Sequence, residues 1–247
     1  MTDKKLGVIG GMGSLATKVF FEKIIENTVA SKDQDHIDMI ILNHATLPDR
    51  TKAILEGKEL SFLNVVKPDI ELLEKAGVEN IAIPCNTSHY FYEQMQNMTK
   101  VNIINMVRET AAFINKRYGE NSKVGILATD GTIATGIYER ECLNFNLRPY
   151  HPSEFDQQRI MRTIYNIKAD VNYQPYELED MIQHLITNEN CSSVILGCTE
   201  LSSVYLDPEI KKYCVDPMEV LVENSIILSG KSLKSSILNR HHTISNP

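Results

Sequence analysis

A chain of 247 residues has room for one large domain or two small ones, and a hydrophobic fraction of 43% with 23% charged residues is ordinary for a globular protein. The formal net charge of −7 argues against nucleic acid or an anionic membrane as a partner, because binding phosphates needs clustered Lys and Arg. No uninterrupted apolar run approaches the ~18 residues of a membrane span.

Lys4-Lys5 followed by "LGVIGGMGSLA" has the basic start of a secretory leader. Gly10, Gly11 and Gly13 suit a strand and a tight loop better than a helical leader core, so the reading is a cytoplasmic protein. "LGVIG" is then a strand and residues 16–30 a helix. "DMIILNH" is a second strand, and residues 61–75 form a long helix with Pro68 as a candidate break. "VENIAIPC" is a third strand, "YFYEQMQNM" begins a helix, and "VNIINM" is a fourth strand. Short, almost wholly apolar strands alternating with helices predict an α/β fold with parallel sheets covered on both faces.

The plan starts again at "NSKVGILAT". Setting residues 5–20 against 123–138 without a gap matches Lys5 with Lys123, Gly7 with Gly125, Gly13 with Gly131, Ala16 with Ala134 and Thr17 with Thr135. "GVENIAIPCNTSHYFY" resembles "ENCSSVILGCTELSSVY" at a nearly equal displacement. The expectation is an internal duplication. Two similar doubly wound domains result, residues 1–115 with 216–247 as the first and 116–215 as the second. After Cys214, "VDPMEVLVENSIILSG" reads as a loop and a helix crossing back onto the first half. The polar end of the chain reads as a frayed tail, and its His241-His242 pair as tail residues rather than a metal site.

The duplication puts two cysteines at matched strand ends, Cys85 in "AIPCNTSH" and Cys198 in "ILGCTELS". Ligands of open parallel sheets bind outside the carboxyl ends of strands, so two halves facing each other bring both thiols to one cleft. Asn86-Thr87-Ser88 and Thr199-Glu200 are residue types that start helices, and a helix N-terminus favours a thiolate. A matched thiol pair, one ionised and one not, suits inversion of a carbon centre, which needs a base on one face and an acid on the other. Cys142, Cys191 and Cys214 have no such matches and read as structural. The five cysteines, odd in number and without a CxxC pair, read as reduced thiols.

"GGMGSLAT", "NHATLPDRT", "PCNTSH", "LATDGT", "YNIKA" and "GCTEL" together resemble the aspartate/glutamate racemase family, and within it the aspartate racemase branch. The resemblance runs to about Leu228. It implies racemisation of an acidic amino acid by two cysteines, with no cofactor and no metal, between two similar domains, usually in a homodimer. By the same resemblance Cys85 and Cys198 are the acid/base pair, and Asn86, Thr87 and Thr199 hold the α-carboxylate. Met12 and Gly13 line the cleft from one loop, Thr129 from the matching loop. Arg50 and Lys168 bind the side-chain carboxylate, the first as a planar fork and the second as a point charge. Glu200 stands where glutamate racemases carry histidine, which favours aspartate. Ser14 and Asp170 depart from the family's pattern, the first where proline is frequent and the second where glycine is.

Rival readings are weaker. Gly11-x-Gly13-x-x-Ala16 fits a dinucleotide fingerprint, but the second strand ends in Asn43-His44 rather than an acid. Asp35, His36, Asp38 and His44 lack metal-ligand spacing, and His44 and His89 read as hydrogen-bonded loop residues. Three functional alternatives stay open: a racemase with wider tolerance for acidic amino acids, a relative in the same superfamily that isomerises or decarboxylates a small diacid, against which the retention of both cysteines argues, and a non-catalytic binding protein for acidic amino acids on the same scaffold.

Overall fold

The computed structural model describes residues 4–170 and 172–235. The polar tail with His241-His242 therefore lies outside the described residues. Two four-stranded, all-parallel sheets with helices on both faces make an α/β fold of two similar halves.

The first sheet contains β1 (Leu6–Gly10), β2 (Met39–Asn43), β3 (Asn80–Ala82) and β4 (Asn102–Ile103), in the order β2-β1-β3-β4. The second contains β5 (Lys123–Ala128), β6 (Arg148–Tyr150), β7 (Ser193–Gly197) and β8 (Cys214–Val215), in the order β6-β5-β7-β8. The duplicated segments thus supply the interior strands of both sheets, β1 and β3 in one and β5 and β7 in the other. Their helices are α1 (Ser14–Asn27), α2 (Arg50–Leu55), α3 (Glu59–Lys75), α4 (Tyr92–Gln96) and α5 (Met106–Tyr118) in the first half of the sequence. In the second they are α6 (Asp130–Ala134), α7 (Ile137–Asn144), α8 (Glu154–Ala169), α9 (Tyr176–Thr187), α10 (Pro208–Lys211) and α11 (Pro217–Leu228).

Pro68 does not break α3, which runs unbroken past it. Phe62, Leu63, Val66, Ile70 and Leu73 form a buried stripe along it, and that burial outweighs the one backbone bond the proline cannot make. The third strand is shorter than its apolar run, because the chain leaves the sheet after Ala82 and carries Ile83 and Cys85 into the cleft loop.

The helices that follow the last strand of each sheet change sides. α5, after β4, buries Val107, Ala111 and Ile114 in the cluster that holds Val124, Ile126 and Ala128 of β5. α11, after β8, buries Met218, Leu221, Val222 and Ile226 against Leu6, Val8 and Phe20 of the first half. Each begins at a side-chain cap, Asn105 accepting from the Arg108 amide at 3.0 Å and Asp216 from the Met218 amide at 2.9 Å. Glycine permits the close approach of the halves elsewhere: a Cβ on Gly131 would lie 2.9 Å from Thr51 Cα, across the cleft. Gly11, at φ +89° and with His44 carbonyl carbon 2.4 Å from where its Cβ would be, has no substitute of another type.

Because the crossing helices are core to the opposite half, Leu221→Ala in α11 should cost ~2–5 kcal/mol, and Ile114→Ala in α5 a similar amount. Urea unfolding measures both. A loss below ~1 kcal/mol in either would mean that the exchanged helix is only loosely applied.

Candidate active site

The carboxyl ends of β1, β3, β5 and β7 face one cleft of about 310 Å³. Met12, Asp49, Arg50, Thr51, Cys85, Asn86, Thr87, Thr129, Lys168, Cys198, Thr199 and Glu200 line it. Gly13 borders it, its Cβ direction ending 3.9 Å from Glu200 Oε1. The residues named from sequence therefore come together in one place, drawn from both halves. Sequence reasoning missed Asp49 and Thr51, which flank Arg50 in "LPDRT" and were within its reach.

Cys85 and Cys198 are both buried, at 6% and 5% exposure, and both unbridged. The loops behind them form short 3₁₀ turns, Thr87–Phe91 and Leu201–Ser203, rather than α-helices. The expected helix-terminus thiolate does not follow for Cys198. Burial raises its pKa well above the ordinary thiol value, and the neighbouring Glu200 carboxylate raises it further. Cys198 Sγ donates to Glu200 Oε2 at 2.8 Å. Lys168, near the end of α8, sits 3.8 Å from Glu200 Oε1. Burial, the largest single effect, works against its ammonium, but Glu200 together with the Cys198 and Cys85 thiols outweighs it and holds its pKa above the usual range. Glu200 is thus shared between a thiol and an ammonium, a role that no motif spacing would have disclosed. The other thiols are inert by burial, with Cys142 and Cys214 pushed up to about 12 and Cys191 to about 11.

Asn86 accepts a hydrogen bond from the buried Tyr138 hydroxyl through Oδ1. Its Nδ2 is buried without a partner among the described residues, a donor available to a ligand. Arg50 reaches in from the start of α2, its Nη1 donating to the Leu47 and Pro48 carbonyls and its Nη2 to Met12 O. Those bonds fix the guanidinium plane, and Nε is buried without a partner among the described residues. Thr87, Thr129 and Thr132 form a closed triangle of hydroxyls, with oxygens 3.2, 2.9 and 3.0 Å apart, that joins the two halves across the cleft floor. Ser14 stays exposed at the mouth and accepts from Asn43 Nδ2. Asp170 takes the C-cap position of α8, two residues past Lys168. Among the described residues, no three His, Cys, Asp or Glu side chains gather as a metal site, and no helix is long and apolar enough to cross a membrane.

Comparison with known proteins places the chain that builds this cleft in a family of amino-acid racemases. Residues 9–224 match the Asp/Glu/hydantoin racemase family model, and the chain belongs to that family. It is 29% identical over 205 residues to the broad specificity amino-acid racemase RacX of Bacillus subtilis, covering 81% of this chain and 86% of that one. Its fold is similar to that of the Picrophilus torridus aspartate racemase, with a TM-score of 0.81 and 29% identity over 96% of this chain and 99% of that one. A glutamate racemase from Francisella tularensis shares the fold at 18% identity, with a TM-score of 0.60 over 99% of this chain and 84% of that one.

Glu200→Gln removes the carboxylate that raises the Cys198 thiol while leaving its burial in place. The thiol pKa should fall, so more thiolate exists at a given pH and alkylation of Cys198 by iodoacetamide at about pH 8 should quicken. Site-resolved mass spectrometry reads the rate, and a slower reaction in the variant would show that Glu200 activates the thiol instead.

Proposed function

We propose that this protein interconverts L- and D-aspartate without a cofactor, using Cys85 and Cys198 on opposite faces of the substrate α-carbon. The observation that carries the reading is the pair of buried, unbridged thiols at repeat-equivalent strand ends, lining one small cleft together with two cations. One thiolate takes the α-proton, and the electron pair of the broken C–H bond moves into the α-carboxylate. The opposite thiol then gives its proton to the other face, leaving the product enantiomer and reversing the protonation of the pair. Cys198, held as a thiol against Glu200, is suited to the acid role.

The α-carboxylate gathers negative charge during this step, and Asn86 Nδ2 together with the Thr87, Thr129 and Thr199 groups is available to it. Arg50 and Lys168 suit a side-chain carboxylate, and the likeness to the Picrophilus aspartate racemase favours aspartate. A second reading is a racemase of wider substrate range, as in the RacX relative. It draws on the pairing of Lys168 with Glu200 and of Arg50 with backbone carbonyls, both of which weaken the claim of an acidic side chain.

A chirality assay on pure protein without pyridoxal phosphate, run over acidic and neutral amino acids, separates these readings from a non-catalytic binding protein. Cys85→Ala and Cys198→Ala should each abolish conversion, while each retains exchange of the α-proton of one enantiomer, opposite in the two variants. Full activity in either would remove that cysteine from the chemistry. Arg50→Ala should lose aspartate turnover at least about tenfold, since a hydrogen bond to a charged group contributes ~1.5–3 kcal/mol. Near-normal aspartate kinetics in that variant, with neutral amino acids also turned over, would favour the wider range.

A further inference from the structure

The chain passes between the halves twice, at residues 104–105 into α5 and at Asp216 into α11. Each crossing is hydrogen-bonded to the turn behind the cysteine of the half it leaves. His89, four residues after Cys85, bridges the Cys85 carbonyl through Nδ1 at 2.9 Å and the Met106 amide through Nε2 at 3.1 Å. The Met106 amide must donate, so Nε2 accepts from it and Nδ1–H donates to Cys85 O in a neutral ring, with the Ile104 carbonyl, 3.3 Å from Nε2, as the longer contact left unserved. Ser202, four residues after Cys198, donates to Asp216 Oδ1 at 2.8 Å, and the same oxygen accepts from the Met218 amide. The two braces occupy equivalent positions but differ in chemistry. One is an uncharged imidazole, and the other ends in a carboxyl group.

We propose that Asp216 is a positioning residue for Cys198, tying the turn behind that thiol to the crossover into α11, and that it makes the Cys198 side of the cleft, but not the Cys85 side, responsive to acid. Both bonds to Oδ1 are charge-assisted when the carboxyl is ionised and weaken when it is protonated. Burial first, then the nearby Glu219 charge, pushes that carboxyl up to about 6, which brings the change into a working pH range. The charged and titratable groups around it are Glu219 on α11, Lys23 of α1, which is 3.1 Å from Glu219 and lowers the Asp216 pKa, Tyr138 of α7 and Cys214 of β8. Arg117 of α5 lines the same groove. On the Cys85 side, burial lowers the His89 pKa, so that brace keeps its neutral form as the medium is acidified over the same interval.

The inference rests on the two-thiol reading for its effect on turnover, but its test does not need turnover. The alkylation rates of Cys198 and Cys85 by iodoacetamide, resolved by mass spectrometry between about pH 5 and 8, report the two turns separately. In the wild-type protein the ratio of the two rates should show an inflection near pH 6, where Asp216 titrates. Asp216→Asn keeps the oxygen that accepts both bonds and removes the ionisation, so the inflection should vanish. Ser202→Ala and Asp216→Ala break the brace and should change Cys198 alkylation by about threefold or more, roughly half a pKa unit, with Cys85 unchanged. An inflection that persists in Asp216→Asn would assign it to another group. Equal responses of the two thiols, or none in either brace-breaking variant, would overturn the positioning role. An inactive wild-type protein with these alkylation changes intact would overturn the racemase reading and leave this inference standing.

Discussion

The width of the cleft depends on two helices that complete each other's halves. α5 leaves the first sheet and is buried against the second, while α11 leaves the second and is buried against the first. On each sheet the exchanged helix shares a face with a helix of the receiving half, α11 with α1 and α5 with α7. Burial of side chains such as Leu221 and Ile114 contributes ~1.5–3 kcal/mol each. Those contacts hold the two sheets at a fixed offset with their strand ends facing. Gly131 against Thr51, and the triangle of Thr87, Thr129 and Thr132, then close the gap at the floor.

Inside that frame the electrostatics of the cleft are nearly self-balanced. Arg50 and Lys168 bring two positive charges and Asp49 and Glu200 two negative ones to the same cleft, Glu200 buried and Asp49 and Lys168 at its exposed edge. Low local polarity makes each neighbour count for more than it would at a surface. Glu200 accordingly raises both of its partners, holding the Cys198 thiol protonated and the Lys168 ammonium charged. A ligand that draws Lys168 away from Glu200 would alter the surroundings of the thiol as well.

Much of this was legible in the sequence because duplication repeats constraints as well as residues. Gly13 and Gly131, Thr17 and Thr135, and above all Cys85 and Cys198 are matched because each serves the same turn at the end of an equivalent strand. The racemase motifs named every group lining the cleft except Asp49 and Thr51. What stayed hidden was tertiary. The apolar face of α5 shows in its periodicity, but periodicity does not say which sheet covers that face. The thiol contact of Glu200 depends on a turn of three residues, and the continuity of α3 through Pro68 depends on packing that no local rule supplies. Helix-start residues after each cysteine suggested lowered thiol pKa values, and for Cys198 desolvation ran the other way.

The exchange of helices has a consequence for symmetry. A half-chain on its own would present one apolar helix with no sheet beneath it and one sheet face covered by a single helix, α1 or α7, in place of two. Two identical half-chains would satisfy each other only by swapping helices about a twofold axis, as in a domain-swapped dimer. Their cleft would carry two equivalent thiols with identical neighbours, and neither face of a bound carbon would be distinguished from the other. Joining the halves in one polypeptide releases that equivalence. Thr87 and Glu200 occupy the same place after their cysteines, yet one contributes a hydroxyl to a neutral triangle and the other a carboxylate to a thiol. The two sides of the cleft were free to diverge.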